Sequence, residues 1–417
     1  MKHDAFRQIA YIQEALSQNK KTIGILIGAG CPLSVRVNVQ KDEETGEVNS
    51  DPLIPDVAGL TDKIISKLSS DDEKNSNSCD KLISQIKEDG NNEPNIEDVL
   101  SQIRALKQVV GTGKVRDFVS KDLKELDTSI CELISEYVFK KLPTKKTPYH
   151  NLAVWMRSIS RDKAVHIFTT NYDLLIEQAL EESYCPYFDG FIGSRQAFFD
   201  IRTVEEERLL NARWGRLWKI HGSINWKLND NGDVIRSTDI DEKDSHLIYP
   251  SHLKYDQSRK MPYLAMLDRL KDFFKNQGSI LFICGYSFSD DHINDVIVQG
   301  LQSNPTSMVF GFLYGNLNWE NYEAARKCAQ RTPNLSIMAF DEAIIGRQRG
   351  TWYMNDDNKL QDIPAQVVTK EKHEVKEGDD DSEIEQYYVK LGDFSKFGQF
   401  LSELSTIDDE VNSEEPK

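Results

Sequence analysis

The chain of 417 residues carries 51 Lys and Arg against 68 Asp and Glu, a formal net charge of −17. With 39% hydrophobic and 29% charged residues, it has the composition of packed globular proteins rather than disordered ones, and its length suits about two or three domains or subdomains. An acidic surface repels phosphate backbones and argues against free-standing duplex binding, while leaving room for a basic partner.

No run reaches the ~18 apolar residues of a membrane span. The N-terminal MKHDAFRQIAYIQEAL is an amphipathic pattern with charges throughout, without the apolar core of a signal peptide, so a cytoplasmic location is expected. Cys31, Cys79, Cys131, Cys185, Cys284 and Cys328 are too scattered to make a CxxC zinc half-site. They are expected to be free thiols in a reducing cytosol, and no metal is expected.

Residues 4–19 predict a helix. Thr22 to Ile27, a continuous apolar run, predicts a buried parallel strand that enters Gly28-Ala29-Gly30. Glycines directly after a first strand let the backbone approach a pyrophosphate at a helix N-terminus, although tight turns use glycine for their own sake. Leu33 stands where the third glycine of GxGxxG would be. Residues 38–52 are polar and predict a surface loop or hairpin. Pro52-Leu53-Ile54-Pro55-Asp56 follows as an extended segment that presents Asp56.

From LTDKIISKLS (60–69) a helical stretch runs, with breaks, to about residue 160. Polar loops are expected near 70–78 and 90–95. NIEDVLSQIRALKQVV (95–110) and VRDFVSKDLKELDTSICELISEYVFKKL (115–142) have the 3.6-residue spacing of amphipathic helices. Residues 61–160 therefore read as a helical subdomain inserted into an α/β unit.

Val165 to Thr169 predicts a buried strand that runs into a polar turn with Asn171, Tyr172 and Asp173. An amphipathic helix follows, its stripe formed by Leu174, Leu175, Ile176, Ala179 and Leu180. Ligands of open α/β sheets bind at the carboxyl ends of strands, so this turn is a candidate site. Asp173 also suits a helix N-cap. Residues 184–202 are aromatic-rich and irregular. LWKIHGSINW (217–226) predicts a strand, a sharp turn at Gly222 and a return strand, with His221 at the tip; residues 227–248 predict a small hairpin.

A helix is expected over 264–276 and a buried strand from Ser279 to Cys284. Gly285, Ser287 and Asp290 lie on the next turn, where a helix starts near Asp290 or Asp291, as ligands or as caps. Residues 307–315 predict a strand, 318–331 a helix, and 334–343 the last strong strand. Residues 370–385 read as an acidic linker, 387–404 as a short helix, and the last dozen residues as a frayed tail.

Taken in order, GAG (28–30), Pro55-Asp56, TTNYD (169–173), IHGS (220–223) and GYSFSDD (285–291) resemble the sirtuin-like family of NAD-dependent proteins over about residues 22–345. The resemblance implies a Rossmann-like parallel sheet of class α/β with an inserted helical subdomain. Its parts would be residues 1–60 and 161–345 for the NAD-binding catalytic domain, 61–160 for the insert and 346–417 for a C-terminal extension. It implies that Gly28, Ala29, Gly30 and Cys31 form the pyrophosphate loop and that Asp56 lies on the cofactor loop. Thr170, Asn171 and Asp173 would line the nicotinamide-ribose pocket, His221 would be catalytic, and Gly285, Ser287 and Asp290 would hold the adenine-side ribose. The family's deacetylases carry a four-cysteine zinc module after the histidine, but here no cysteine lies between Cys185 and Cys284.

The subgroup without that module, with a large helical insert, resembles NAD hydrolases of bacterial anti-phage defence. PLIPDVAGLT (52–61) is most similar to the sirtuin-like subunit that pairs with a HerA-type hexameric ATPase. Cleavage of NAD+ to nicotinamide and ADP-ribose, homo-oligomeric assembly and that ATPase partner are what the resemblance implies. A non-catalytic NAD or ADP-ribose sensor is the alternative, with Asn171 and His221 favouring catalysis; a deacetylase ranks behind both.

Overall fold

The computed structural model describes residues 1–41, 48–229, 231–237, 262–355, 357–377 and 380–411. Short apolar runs, buried along their whole length, make the strands at its centre, as a sheet covered on both faces requires. The strands of the main sheet are β1 (Lys2–Asp4), β2 (Ile23–Ile27), β3 (His166–Thr169), β4 (Tyr187–Phe188), β5 (Gly215–Lys219), β6 (Ile280–Cys284), β7 (Met308–Phe312), β8 (Leu335–Met338), β9 (Glu342–Ile345) and β10 (Gln348–Tyr353). The helices are α1 (Ala5–Ser17), α2 (Val57–Asp71), α3 (Glu73–Glu88), α4 (Ile96–Val110), α5 (Ser120–Val138), α6 (Pro148–Ser158), α7 (Leu175–Glu182), α8 (Ile201–Glu205), α9 (Tyr263–Phe273), α10 (Asp291–Ser303), α11 (Glu323–Arg331) and α12 (Phe394–Val411).

The ten strands lie in the order β1-β10-β9-β8-β7-β6-β2-β3-β5-β4. From β8 to β4 every pair is parallel, and β9 runs antiparallel to both its neighbours. The chain winds outward from β2 through β3 to β5, returns to the other side of β2 at β6, and winds outward again through β7 to β8. This is the doubly wound dinucleotide-binding order, and its topological switch point falls between β2 and β6. Their register pairs Ile27 with Cys284, so the loops that begin at Gly28 and Gly285 leave the sheet side by side.

Side chains alternate between two cores. Ile23, Ile25 and Ile27 join the core shared with α1 and the helices α2–α5, while Leu26 joins the core on the opposite face.

Several expectations are corrected. The polar loop near 70–78 is helix: α2 and α3 meet at Asp72, whose carboxylate accepts from the Asn75 N–H (3.0 Å) and Nδ2 (2.8 Å). Polar residues there stay helical because they satisfy one another; Asn75 Nδ2 also donates to Ser129 Oγ on α5 (2.9 Å). The expected 115–142 helix begins at Ser120, because Lys114–Val115 pairs with Phe118–Val119 in a small hairpin. The return strand after Gly222 does not pair with β5. Trp226–Leu228 joins Val234–Arg236, Ala197–Phe199 and Phe191–Ile192 in a separate four-stranded sheet, which also orders the aromatic-rich stretch. Residues 238–248 of the expected hairpin lie outside the described residues.

The acidic linker is another. Val368–Glu377 and Asp380–Val389 form an antiparallel hairpin, in which the Lys370 ammonium stands 2.5 Å from Glu385 Oε2. Tyr387 and Tyr388 end that hairpin, and α12 follows it and packs along α6. Phe394, Phe397 and Phe400 are buried in the chain's own core, with Phe394 against Tyr149 (ring centroids 5.1 Å) and Phe397 against Phe312 (5.5 Å). Of the expected frayed tail, residues up to Val411 continue α12, and 412–417 lie outside the described residues.

Candidate functional site

The two loops at the switch point interlock backbone to backbone. Gly28 N–H donates to Cys284 O (2.9 Å) and Gly30 N–H to Gly285 O (2.8 Å). A Cβ on Gly28 would lie 2.4 Å from Gly285 O, and Gly285, at φ +63°, would place one 2.5 Å from Cys31 N. Glycine is required here for the loops to touch. The Gly28 and Gly30 donors are thus engaged within the chain, and Ala29 and Pro32 are the residues of this loop that line the adjoining cavity. Cys31 does not line it: the thiol is buried, donates to Cys284 O (3.2 Å), and is pushed well up first by that burial and then by neighbouring Cys284.

The cavity measures about 600 Å³, within the usual range for small-molecule sites. It lies at the carboxyl ends of β2, β3, β5 and β6. Ala29, Thr170, Asn171, Asp173, His221, Gly285, Ser287 and Asp290 all line it, so the structure brings these sequence candidates together. Asp56 stays outside: it is exposed and caps α2, accepting from Gly59 N–H (2.8 Å), while its neighbours Pro55 and Val57 face the cavity.

The opposite wall comes from Leu60 of α2 and from Asn95, Glu97, Asp98 and Ser101 at the start of α4. Sequence reasoning missed this wall, because polar residues at a helix start read as capping groups. Among the described lining residues there are five carboxylates and neither Lys nor Arg. The N-termini of α2, α4 and α10 open on the cavity, where their dipoles favour negative charge, and capping side chains take N–H groups at each: Asp56 from Gly59, Asn95 from Glu97 and Asp98, and Asp290 from His292 and Ile293.

On the turn after β3, Thr169 Oγ1 donates to Ile27 O (2.9 Å) and accepts from Asn171 N–H (3.0 Å), and Asn171 Nδ2 donates to Gly28 O (3.1 Å). Asp173 accepts from Leu175 N–H (3.0 Å), but it is not the expected N-cap: that position is Leu174, which makes no side-chain cap bond, and Asp173 lines the cavity instead. Burial raises its pKa, opposed most by Lys219. That lysine, in the middle of WKIHG, is a second omission of the sequence reading; a lone Lys in an apolar strand was its one signal.

His221 stands after β5, where Gly222 at φ +93° turns the chain, and Ile224 N–H donates to Tyr172 O (3.0 Å). His221 Nε2 lies 3.1 Å from Asp290 Oδ2. The other Asp290 oxygen accepts from His292 N–H (3.0 Å) and Ile293 N–H (3.4 Å). Asp290 therefore caps α10 and holds the histidine at once. Among the described residues no group of three His, Cys, Asp or Glu side chains is placed to share a metal ion, and no helix is long and apolar enough to cross a membrane.

No curated protein matches the chain by sequence. Among solved structures it is similar to a Sir2 homologue in complex with NAD, at 12% identity and a TM-score of 0.38 over 76% of this chain and 86% of the other. It is similar to a structure described as the basis for the mechanism and regulation of Sir2 enzymes, at 11% and 0.32 over 73% and 84%. A histidine-to-tyrosine mutant of Sir2 with a p53 peptide and NAD gives 10% and 0.34 over 78% and 98%. Residues 165–332, which hold the turn after β3, His221 and the Asp290 cap, match the family described as the SIR2-like domain.

Proposed function

We propose that this chain is an NAD+ glycohydrolase that cleaves NAD+ with water to nicotinamide and ADP-ribose. The observation that carries the reading is the pairing of His221 with Asp290 at 3.1 Å across a switch-point cavity from Asn171 and Asp173. Breaking the nicotinamide–ribose bond passes through an oxocarbenium-like state, as in glycoside hydrolysis. The leaving group is cationic before the bond breaks, so no acid need protonate it; a positioned water and a base suffice.

The Asn171 amide nitrogen is held by Gly28 O, so its carbonyl oxygen is the atom that can orient water or a ribose hydroxyl. Asp290 accepts a proton held on His221 Nε2, which leaves Nδ1 as the basic atom. Asp173 would sit beneath the ribose and face the developing charge. The pyrophosphate would lie along the loop at Ala29 and near the N-termini of α2 and α10, whose dipoles favour an anion.

The same reading includes gating. An NAD+ hydrolase running freely would deplete its own host, so this chain acts as an effector of anti-phage defence, held in check and released by assembly with itself and with a HerA-type ATPase. Support for that partner is the resemblance carried by PLIPDVAGLT. The test is nicotinamide release from NAD+ by the purified chain, with and without the ATPase. NAD+ binding with no turnover under either condition would instead favour the sensor reading.

A further inference from the structure

Lys219 lies at the end of β5, two residues before His221, and is only 2% exposed. Its ammonium donates to the backbone carbonyls of Asp173 and, at 3.4 Å, of Tyr172. It also pairs with Glu177 Oε1 of α7 at 2.7 Å. Glu177 is itself largely buried, and its Oε2 makes no hydrogen bond. A buried ion pair with one oxygen unsatisfied is a poor way to gain stability, since an apolar pair of similar volume usually does as well or better. The two carbonyl contacts give the lysine a different use.

We propose that Lys219 is a positioning residue of the site. The turn that carries Asn171 and Asp173 belongs to one strand end and His221 to the next. Outside the strand ladder, the ammonium ties the turn's backbone to β5, and so sets the distance between the amide that orients water and the imidazole that accepts its proton. Glu177 supplies the countercharge that lets the ammonium remain buried at that spot. The inference rests on the NAD+ hydrolase reading for its activity readout and on geometry alone for its structural readout.

Two double variants separate clamping from charge balance, because both remove the ion pair. Lys219→Met with Glu177→Leu removes the ammonium donor from both carbonyls and leaves Tyr172 O with Ile224 N–H and Ser223 Oγ. Lys219→Gln with Glu177→Gln keeps a neutral donor near them. The apolar pair is expected to retain its melting temperature, to lose about tenfold or more in kcat as a displaced catalytic group does, and to exchange the amides of residues 171–175 faster. The Gln pair is expected to recover much of both. Equal kcat and equal exchange in the two variants, or wild-type values in the apolar pair, would overturn the proposal. If the apolar pair fails to fold, Lys219→Gln/Glu177→Gln set against Lys219→Met/Glu177→Gln gives the same decision, since only the first keeps a donor to the two carbonyls. If the wild-type chain releases no nicotinamide, the functional reading fails, and amide exchange in the same variants still decides the clamp.

Discussion

Asn171, His221 and Asp290 make separable predictions. Asn171→Ala and His221→Ala are each expected to lower NAD+ cleavage by about 10²–10⁴-fold with unchanged folding, measured as nicotinamide release. Near wild-type turnover by either would remove that residue from the mechanism. Asp290→Asn is sharper. Asparagine caps helices as well as aspartate, so α10 should persist, but its amide N–H facing His221 Nε2 would move the imidazole proton to Nδ1. A comparable loss of kcat at an unchanged melting temperature is expected. Wild-type kcat would mean that the Asp290 contact to the histidine is only structural.

Asp173 carries a stability consequence. Burial raises its pKa, so its neutral form is the one the fold favours. Its contribution to stability is present below the ordinary carboxylate range and lost as pH rises through the raised folded value. Asparagine keeps the acceptor for Leu175 N–H without the charge. Asp173→Asn is therefore expected to raise the melting temperature at neutral pH more than in acid, while reducing NAD+ cleavage. The reverse order of the two melting shifts would show that Lys219 outweighs desolvation.

At the scale of elements, α12 gives a test of how firmly the C-terminal extension belongs to the core. Phe397 is fully buried against Phe312 of β7. Phe397→Ala is expected to cost about 3–5 kcal/mol, read as a lower midpoint in urea. A cost near zero would mean that the helix contributes little to the folded core. The strand–turn–helix units were legible from sequence because a fully buried strand is apolar end to end, and a cap residue marks where its helix begins. The Val368–Val389 hairpin was not: a run rich in Lys, Glu and Asp looks solvated until charges on neighbouring strands face each other.

At the scale of the molecule, the exposed surface keeps Ile192 and Phe198 in the small four-stranded sheet, with Trp214 and Ile192 lining one surface hollow. Apolar groups so placed suit subunit contact, and gating by assembly requires one. Light scattering at micromolar concentration is expected to give a mass several times 47.8 kDa. A monomer that hydrolyses NAD+ fully and ignores any partner would refute gating by assembly.

The local signals carried much of the site. GAG, TTNYD, HGS and GYSFSDD each mark a strand end by residue type alone, because short-range chemistry sets turns and caps. What no local signal could contain was who faces whom. That β2 and β6 are neighbours, and that Gly28 therefore needs Gly285, follows only from the winding order of the sheet. Asp290 reads as a cap until β5 brings His221 to its second oxygen. Cys31 and Asp56 share the loops of site residues, yet packing turns one inward beneath the loop and the other to the start of α2. The wall built by α4 and the ammonium of Lys219 were invisible for the same reason: burial and hydrogen-bond partners are properties of the assembled fold, set by contacts between residues far apart in the chain.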